Sequence, residues 1–391
     1  MAVALDSVSP GGGVAGDATG RFGRLSPIAA RASLAILALT ILISIPLASW
    51  PERGKGAPAA TYPSFLARVS HGVGAVVANA SHGVNTPETG DAQFYRTVIG
   101  RMRRGQPYEQ AAVAEQRAKG YAAKPFLAVR PPLLATVLSW SPSPIFGMIA
   151  QELLALGVIA AWTFRLRAIN PGRSVWTAFL IFTGVGAAMS GESASLFHEL
   201  WAGLLIALSL AVRTDRRFLA AVALGCLAGL IRELAMPYLL VMALFALIER
   251  RRGEAIAFAL ALAVDAAALA LHAHAAIALE TARDLVSPSW VALGGWAFAL
   301  RTAQWNAMVP VLGPWVTAVI VPLALVGTAG WRTREGLRLT VLLVGCLGGF
   351  LIVGRPDNYY WGLMTAPMIG IGLALAPSAL VQLWRRAVSR G

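Results

Sequence analysis

The chain has 391 residues, of which 57% are hydrophobic and 13% charged, a balance that excludes an ordinary water-soluble globule. Its formal charge of +14 does not point to nucleic acid, because the arginines fall in short clusters between apolar runs, a pattern of membrane topology. The two cysteines, Cys226 and Cys346, lie inside apolar runs and form neither a disulfide framework nor a thiolate metal site.

Residues 1–31, rich in Gly, Ala and Ser, read as a disordered cytoplasmic N-terminus, and 32–391 as a single membrane-embedded domain. The apolar run from Ala32 to Trp50 follows Arg21, Arg24 and Arg31 and carries no small-residue cleavage site, so it reads as a retained anchor. The chain then stays outside over 51–130, a large first extracytoplasmic loop expected to contain short helices. Pro131 to Trp140 is apolar but ends in Ser141-Pro142-Ser143-Pro144, and fits either a half-helix or a separate span. Further spans are expected at 145–164, 174–190, 196–212, 218–231, 236–248 and 254–277. A second outer loop follows at 278–304, then spans at 306–329, 338–354 and 361–382. The fold class is thus an all-α polytopic membrane protein with about ten transmembrane helices.

Basic clusters mark the cytoplasmic side: Arg165, Arg167 and Arg173; Arg213, Arg216 and Arg217; Arg250, Arg251 and Arg252; Arg332, Arg334 and Arg338; Arg385, Arg386 and Arg390. The loops they occupy are about ten residues or shorter, too short to fold as a nucleotide-binding domain. An active site is therefore expected to face outward, where soluble nucleotide donors are absent. An enzyme placed there needs a donor already carried across the bilayer on a lipid.

The first outer loop is net basic. It holds Arg53, Lys55, Arg68, Arg96, Arg101, Arg103, Arg104, Arg117, Lys119, Lys124 and Arg130 against Glu52, Glu88, Asp91, Glu109 and Glu115. Such a cluster reads either as a funnel for phosphate head groups or as general attraction to anionic lipid. Asp91, beside Phe94 and Tyr95, reads either as a partly desolvated base or as the cap of a helix over Ala92 to Arg103. Glu192, His198-Glu199 and Arg232-Glu233 fall at the outer ends of spans, where ionisable groups are costly. They are either functional or paired with one another, Arg232 with Glu199 or Glu233. In the last outer turn, Arg355 and Asn358 can bind phosphate or sugar, while Tyr359, Tyr360 and Trp361 also suit an interfacial aromatic belt. His272 and His274 point to different helix faces and make a poor metal pair, and Asp265 reads as a helix–helix hydrogen bond.

Gly90-Asp91-Ala92-Gln93-Phe94-Tyr95 resembles the Asp-Gly-Gln-Phe-Tyr signature of bacterial polytopic glycosyltransferases of the C superfamily, relatives of the polyprenyl-phosphate-dependent mannosyl- and arabinosyltransferases. Val129-Arg130-Pro131-Pro132-Leu133-Leu134-Ala135 resembles the Arg/Tyr-Pro-Leu-Leu motif that re-enters the membrane. His198-Glu199-Leu200-Trp201 resembles the glutamate opening a middle span, and Leu230-Ile231-Arg232-Glu233 the Leu-x-Arg-Glu before the next. Ala92 departs from the usual Gly, and no second acidic residue stands beside Asp91 to form a metal-binding pair.

The resemblance implies an inverting sugar transfer from a polyprenyl-phosphate donor to a lipid, glycan or protein acceptor, on the periplasmic side of a bacterial inner membrane. It makes Asp91 the base and Arg96, Arg130 and Arg232 the phosphate contacts. Glu199 or Glu233 becomes a sugar-hydroxyl acceptor or an orienter of Arg232, with Tyr95, Arg355 and Asn358 in the substrate site. Neither a cofactor nor a metal is expected, nor any nucleic-acid partner. The alternatives are a transporter or lipid-linked-sugar flippase built around Asp265, and a non-catalytic scaffold. They differ in whether Asp91 and Arg232 meet in one outward site or Asp265 lines a central pathway.

Overall fold

The computed structural model describes residues 20–49, 90–143 and 145–389. Residues 1–19, the segment with Trp50, Glu52, Arg53, Lys55, Arg68 and Glu88, and Pro144 and Arg390 lie outside the described residues. Within the described residues all regular structure is helical, with only isolated backbone bridges besides. The helices are α1 (Pro27–Ser49), α2 (Asp91–Arg103), α3 (Tyr108–Lys119), α4 (Leu133–Ser139), α5 (Ile145–Leu166), α6 (Ser174–Val185) and α7 (His198–Val212). They continue as α8 (Leu219–Ile231), α9 (Met236–Ile248), α10 (Arg252–Ile277), α11 (Gly295–Thr302), α12 (Thr317–Gly330), α13 (Arg334–Ile352) and α14 (Ala366–Val388), with a single turn at Val309–Leu312.

Five of these helices, α1, α5, α10, α13 and α14, are long and apolar enough to cross a membrane. That is half the expected number. The other five expected spans are apolar helices at their expected places, but shorter. The 15 residues of α7, for example, reach about 22 Å against a hydrocarbon thickness of about 30 Å. Backbone breaks shorten two of these runs: Arg232 ends α8 in an extended conformation, and Gly313-Pro314 breaks the expected 306–329 span before α12. Pro131 to Trp140 yields only the seven-residue α4, a half-helix rather than a span.

Large aliphatics face outward on the long helices, including Ile36, Leu39 and Leu42 on α1 and Leu260, Val264 and Leu271 on α10. Exposed apolar side chains over this length fit a lipid surface. By contrast α7 is buried around nearly its whole circumference. The N-terminal stretch is folded from Gly20. Phe22–Arg24 make a helical turn, α1 starts at Pro27 rather than Ala32, and Arg31 Nε donates to Ala387 O at 2.8 Å.

Helix α14 packs most extensively on α12 and α6. Small residues allow this approach: a Cβ on Gly327 would sit 2.0 Å from Gly372 O, and one on Gly184 would sit 2.3 Å from Ala366 O. At the end of α7 away from Asp91, the basic clusters do more than mark topology. Buried Arg213 donates to Glu254 at 2.5 and 3.0 Å and to Glu335 at 3.2 Å. Arg338 donates to Glu249 at 2.6 Å, and Arg165 donates to the backbone oxygens of Ala211 and Arg213 at 2.7 and 2.9 Å.

At the Asp91 end the two segments expected from sequence to be outer loops interlock. Arg117 grips Asp284 with Nε and Nη2 at 2.6 and 2.8 Å, and the backbone N–H groups of Ala123 and Lys124 donate to Leu285 O at 3.1 and 3.2 Å.

Forcing α12 and α14 apart should be costly. We expect Gly327→Val to destabilise the bundle by roughly 1–3 kcal/mol. Gly345→Val, at a position with open space around it, should stay within about 0.5 kcal/mol of the parent. Thermal unfolding in detergent measures both.

Candidate active site

Gly90 takes φ +95°, a conformation that favours glycine, and turns the chain into α2. Asp91 is therefore the first residue of the helix and not its cap. Asp91 and Tyr95, four apart, share one face of α2. Phe94 turns inward against Tyr121, while the Tyr95 ring lies 5.0 Å from that of His198. The Asp91 carboxylate is reached by solvent, and among the described residues it has neither a hydrogen-bond nor an ion-pair partner. Crowding by protein raises its pKa above the usual carboxylate value. The Arg130 charge opposes this, while Glu199 and Asp357 push it further up.

Behind Asp91 lies a chain of buried charges. Arg232 Nε donates to Glu199 Oε1 at 2.8 Å, and its Nη1 donates to Glu233. The same Glu199 oxygen lies 3.6 Å from Arg130 Nη2, which donates to Tyr360 OH at 2.5 Å. Arg232 is delivered by the break between α8 and α9. Its φ of −145° and ψ of 112° take it out of the helix just before the turn Glu233–Ala235. Glu199 comes from the first turn of α7, and Arg130 from the loop just before the half-helix α4. Burial works against the Arg130 charge, yet the Tyr360 phenol and Glu199 outweigh it and hold its pKa well above the ordinary value. The Arg130 Nε and Nη1 groups have no partner among the described residues.

The pairing reading of Glu199, Arg232 and Glu233 is thus realised, and of this chain Arg130 and Glu199 are near enough for their charges to act on Asp91. The other sequence candidates do not join them. Arg96, on another face of α2, binds Glu192 at 3.0 Å and lines a separate cavity of about 220 Å³ with Arg103, Leu138, Gly147 and Leu196. Arg355 is held by Asp357 at 3.1 Å and by Ser287 and Pro288 O at 3.0 and 2.9 Å. Asn358 is buried and accepts from the Arg355 N–H at 3.1 Å, so it caps the turn.

The loop cations are mostly tied down as well: Arg101 pairs with Glu115 at 3.0 Å, and Arg103 donates to Leu138 O at 3.1 Å. Asp265, on α10, is buried against α8, where Cys226 Sγ donates to it at 3.3 Å. It does make the helix–helix hydrogen bond read from sequence.

Three neighbours of the site were not read as site residues. His198 is buried with its Nε2 unpartnered among the described residues, and Tyr360 and Trp361 face Arg130 and Arg232 with their rings about 6 Å away. Position gives no warning of this, since an interfacial aromatic belt has the same composition.

Chemically, the arrangement offers an unpaired carboxylate able to take a proton and a guanidinium with two free donor groups able to steady an anion. Folding favours the protonated form of Asp91, a contribution present below the unfolded pKa of about 3.9 and lost as pH rises through the raised folded value. Asp91→Asn, neutral at every pH, should therefore raise Tm at pH 7, and its advantage should vanish as pH falls toward about 4. Glu199→Ala, which leaves buried Arg232 with Glu233 alone and removes the acid shared with Arg130, should cost roughly 3 kcal/mol in the same unfolding assay. Comparison with family models, with curated proteins and with solved structures finds no match to this chain.

Proposed function

We propose that this chain is a glycosyltransferase of the bacterial inner membrane, moving a sugar from a polyprenyl-phosphate donor to an acceptor hydroxyl on the periplasmic face. The observation that carries the reading is the unpartnered Asp91 carboxylate standing in front of the Arg130–Glu199–Arg232 chain. In the reaction the acceptor oxygen attacks the anomeric carbon while Asp91 takes its proton. The bond from that carbon to the phosphate oxygen breaks, and polyprenyl phosphate leaves as an anion. Attack opposite the leaving group inverts the anomeric centre.

The raised pKa of Asp91 suits a base, because a more basic carboxylate has a larger drive to accept the proton. A phosphate is stable as an anion, so the reaction needs charge stabilisation more than a general acid. Arg130 supplies it through Nε and Nη1, while Glu199 holds Arg130 and Arg232 in place. Glu233 fixes the other side of Arg232, and Tyr95 forms a neutral wall beside the reacting groups, its phenol pKa raised by burial. The outward lipid-facing aliphatics of the long helices keep the polyprenyl chain in the bilayer as its phosphate reaches the site.

The test is genetic and needs no prior identity for the sugar. The gene is deleted and restored as wild type or as Asp91→Asn at matched membrane levels, and envelope glycans and polyprenyl-linked sugars are compared. We expect one glycan to disappear on deletion and return only with wild type, and the lipid-linked donor to accumulate in the other two strains. Full restoration by Asp91→Asn would remove Asp91 as the base.

A further inference from the structure

The cavity lined by Arg96 takes no part in the site around Asp91. Its volume is about 220 Å³, many times the roughly 10–15 Å³ that a single water needs. Helix α2 gives it Arg96 and Arg103, the start of α5 gives Gly147, and the turn Glu192–Leu196 gives Glu192 and Ser195, with α4 closing one side. Gly147 lets these elements converge, since a Cβ there would sit 2.7 Å from Leu138 Cδ2 and 2.9 Å from Ser195 Oγ.

Two guanidinium groups and one carboxylate line the cavity, so its wall keeps one positive charge. Arg96 donates to Glu192 at 3.0 Å and to Ser193 Oγ at 3.2 Å. Arg103 is fixed differently. Its Nη2 donates to Leu138 O at 3.1 Å and to Ser141 O, the Leu138 carbonyl being one that the end of α4 leaves open. Held through that one nitrogen, Arg103 has no partner for Nε or Nη1 among the described residues. A phosphodiester carries a single negative charge and accepts from just such a fork. A phosphomonoester, at about −1.5 to −2 near pH 7, exceeds the charge of this wall.

A second polar group stands below the floor. Gln151, one helical turn beyond Gly147 on the same face of α5, is fully buried, and neither its Oε1 nor its Nε2 has a partner among the described residues. Side chains on a helix lean toward its N-terminus, and the residue in that direction is the glycine of the cavity wall. A buried amide so placed needs a polar partner, and the cavity is the route by which one enters. The mouth lies at the membrane boundary. Arg103 and Ser143, the exposed members of the lining, stand at the start of the α5 span, where Trp140, Ile145 and Phe146 are exposed as well. Further along α5, Ile149, Leu153 and Leu156 continue an exposed apolar stripe.

We propose that this cavity seats the phosphodiester head group of an anionic glycerophospholipid, whose acyl chains lie along the exposed stripe of α5. Arg103 takes the phosphate with its two open donors, and Arg96 adds its charge from the wall. Glu192, Ser195 and Gln151 meet the hydroxyls of a head group such as phosphoglycerol. A phosphocholine head group, neutral overall and without N–H or O–H, satisfies none of these. The bound lipid ties α2, at whose start Asp91 stands, to the α5 span. The site stands whether or not the chain transfers sugar.

The full chain is delipidated in detergent and titrated, by native mass spectrometry, with phosphatidylglycerol or with phosphatidylcholine of the same acyl chains. We expect the wild type to bind one phosphatidylglycerol about tenfold more tightly than phosphatidylcholine. Arg103→Gln should abolish that preference. Ser143→Trp, which plugs the mouth and keeps every charge, should do the same, and it carries the test if Arg103→Gln does not fold. Arg104→Gln removes the neighbouring exposed cation, which lies outside the cavity, and should bind as the wild type does. Equal affinity for the two lipids, or equal losses in Arg103→Gln and Arg104→Gln, overturns the site in favour of general attraction to an anionic surface. A wild type whose Tm rises with inorganic phosphate, but which shows no lipid preference, has a free-anion site, and the lipid assignment falls.

Discussion

A charge removed from water must find a partner, and the helix α7 meets that demand at both of its ends. It is the most buried helix of the bundle, and its length would be unremarkable but for Glu199 in its first turn and Arg213 just beyond its last. Glu199 gathers Arg232 from the α8–α9 break and Arg130 from the outer loop. Arg213 gathers Glu254 from α10 and Glu335 from α13. Elements distant in sequence are thereby brought to one helix, and at one end they make a wall for Asp91.

That wall explains why Asp91 differs from every other acid near it. Glu115, Glu192, Glu199, Glu233 and Asp284 each answer an arginine, and Glu109 answers His272. Asp91 stands at the start of α2 with no such partner, close enough to Arg130 to feel its charge and crowded enough to hold its proton more tightly than a free carboxylate. An uncompensated group of this kind is a cost to stability and is the sort of feature that marks sites of chemistry. Side chains that bond the carbonyls of Ala128, Val129 and Arg130 serve the same end, because an arginine on an otherwise loose segment has no fixed direction.

Much of the helical plan is legible in one dimension. The hydropathy of the apolar runs located the helices, and α5, α8, α9 and α10 begin and end within a few residues of where those runs do. Length was less legible. Whether an apolar run spans a bilayer depends on where backbone breaks fall, and a single Arg232 or Gly313 shortens a helix without changing the average composition around it. The pairing of Arg232 with Glu199 and Glu233 was readable because a buried arginine next to span ends has few other options. The diversion of Arg96 to Glu192 and of Arg355 to Asp357 was not, because many acids were in reach by sequence.

By itself the sequence determined that this is a helical membrane-type chain whose ionisable residues gather at span ends, since lipid leaves no other place for them. Only the tertiary structure decided which charges are spent on one another and which is left over. That choice depends on distances between helices far apart in the chain. It placed His272, dismissed as a metal ligand, beside Glu109 and the backbone of Arg130, and it left Asp91 without a partner. Side-chain direction on a packed helix is settled by its neighbours, and no local pattern of residues encodes it.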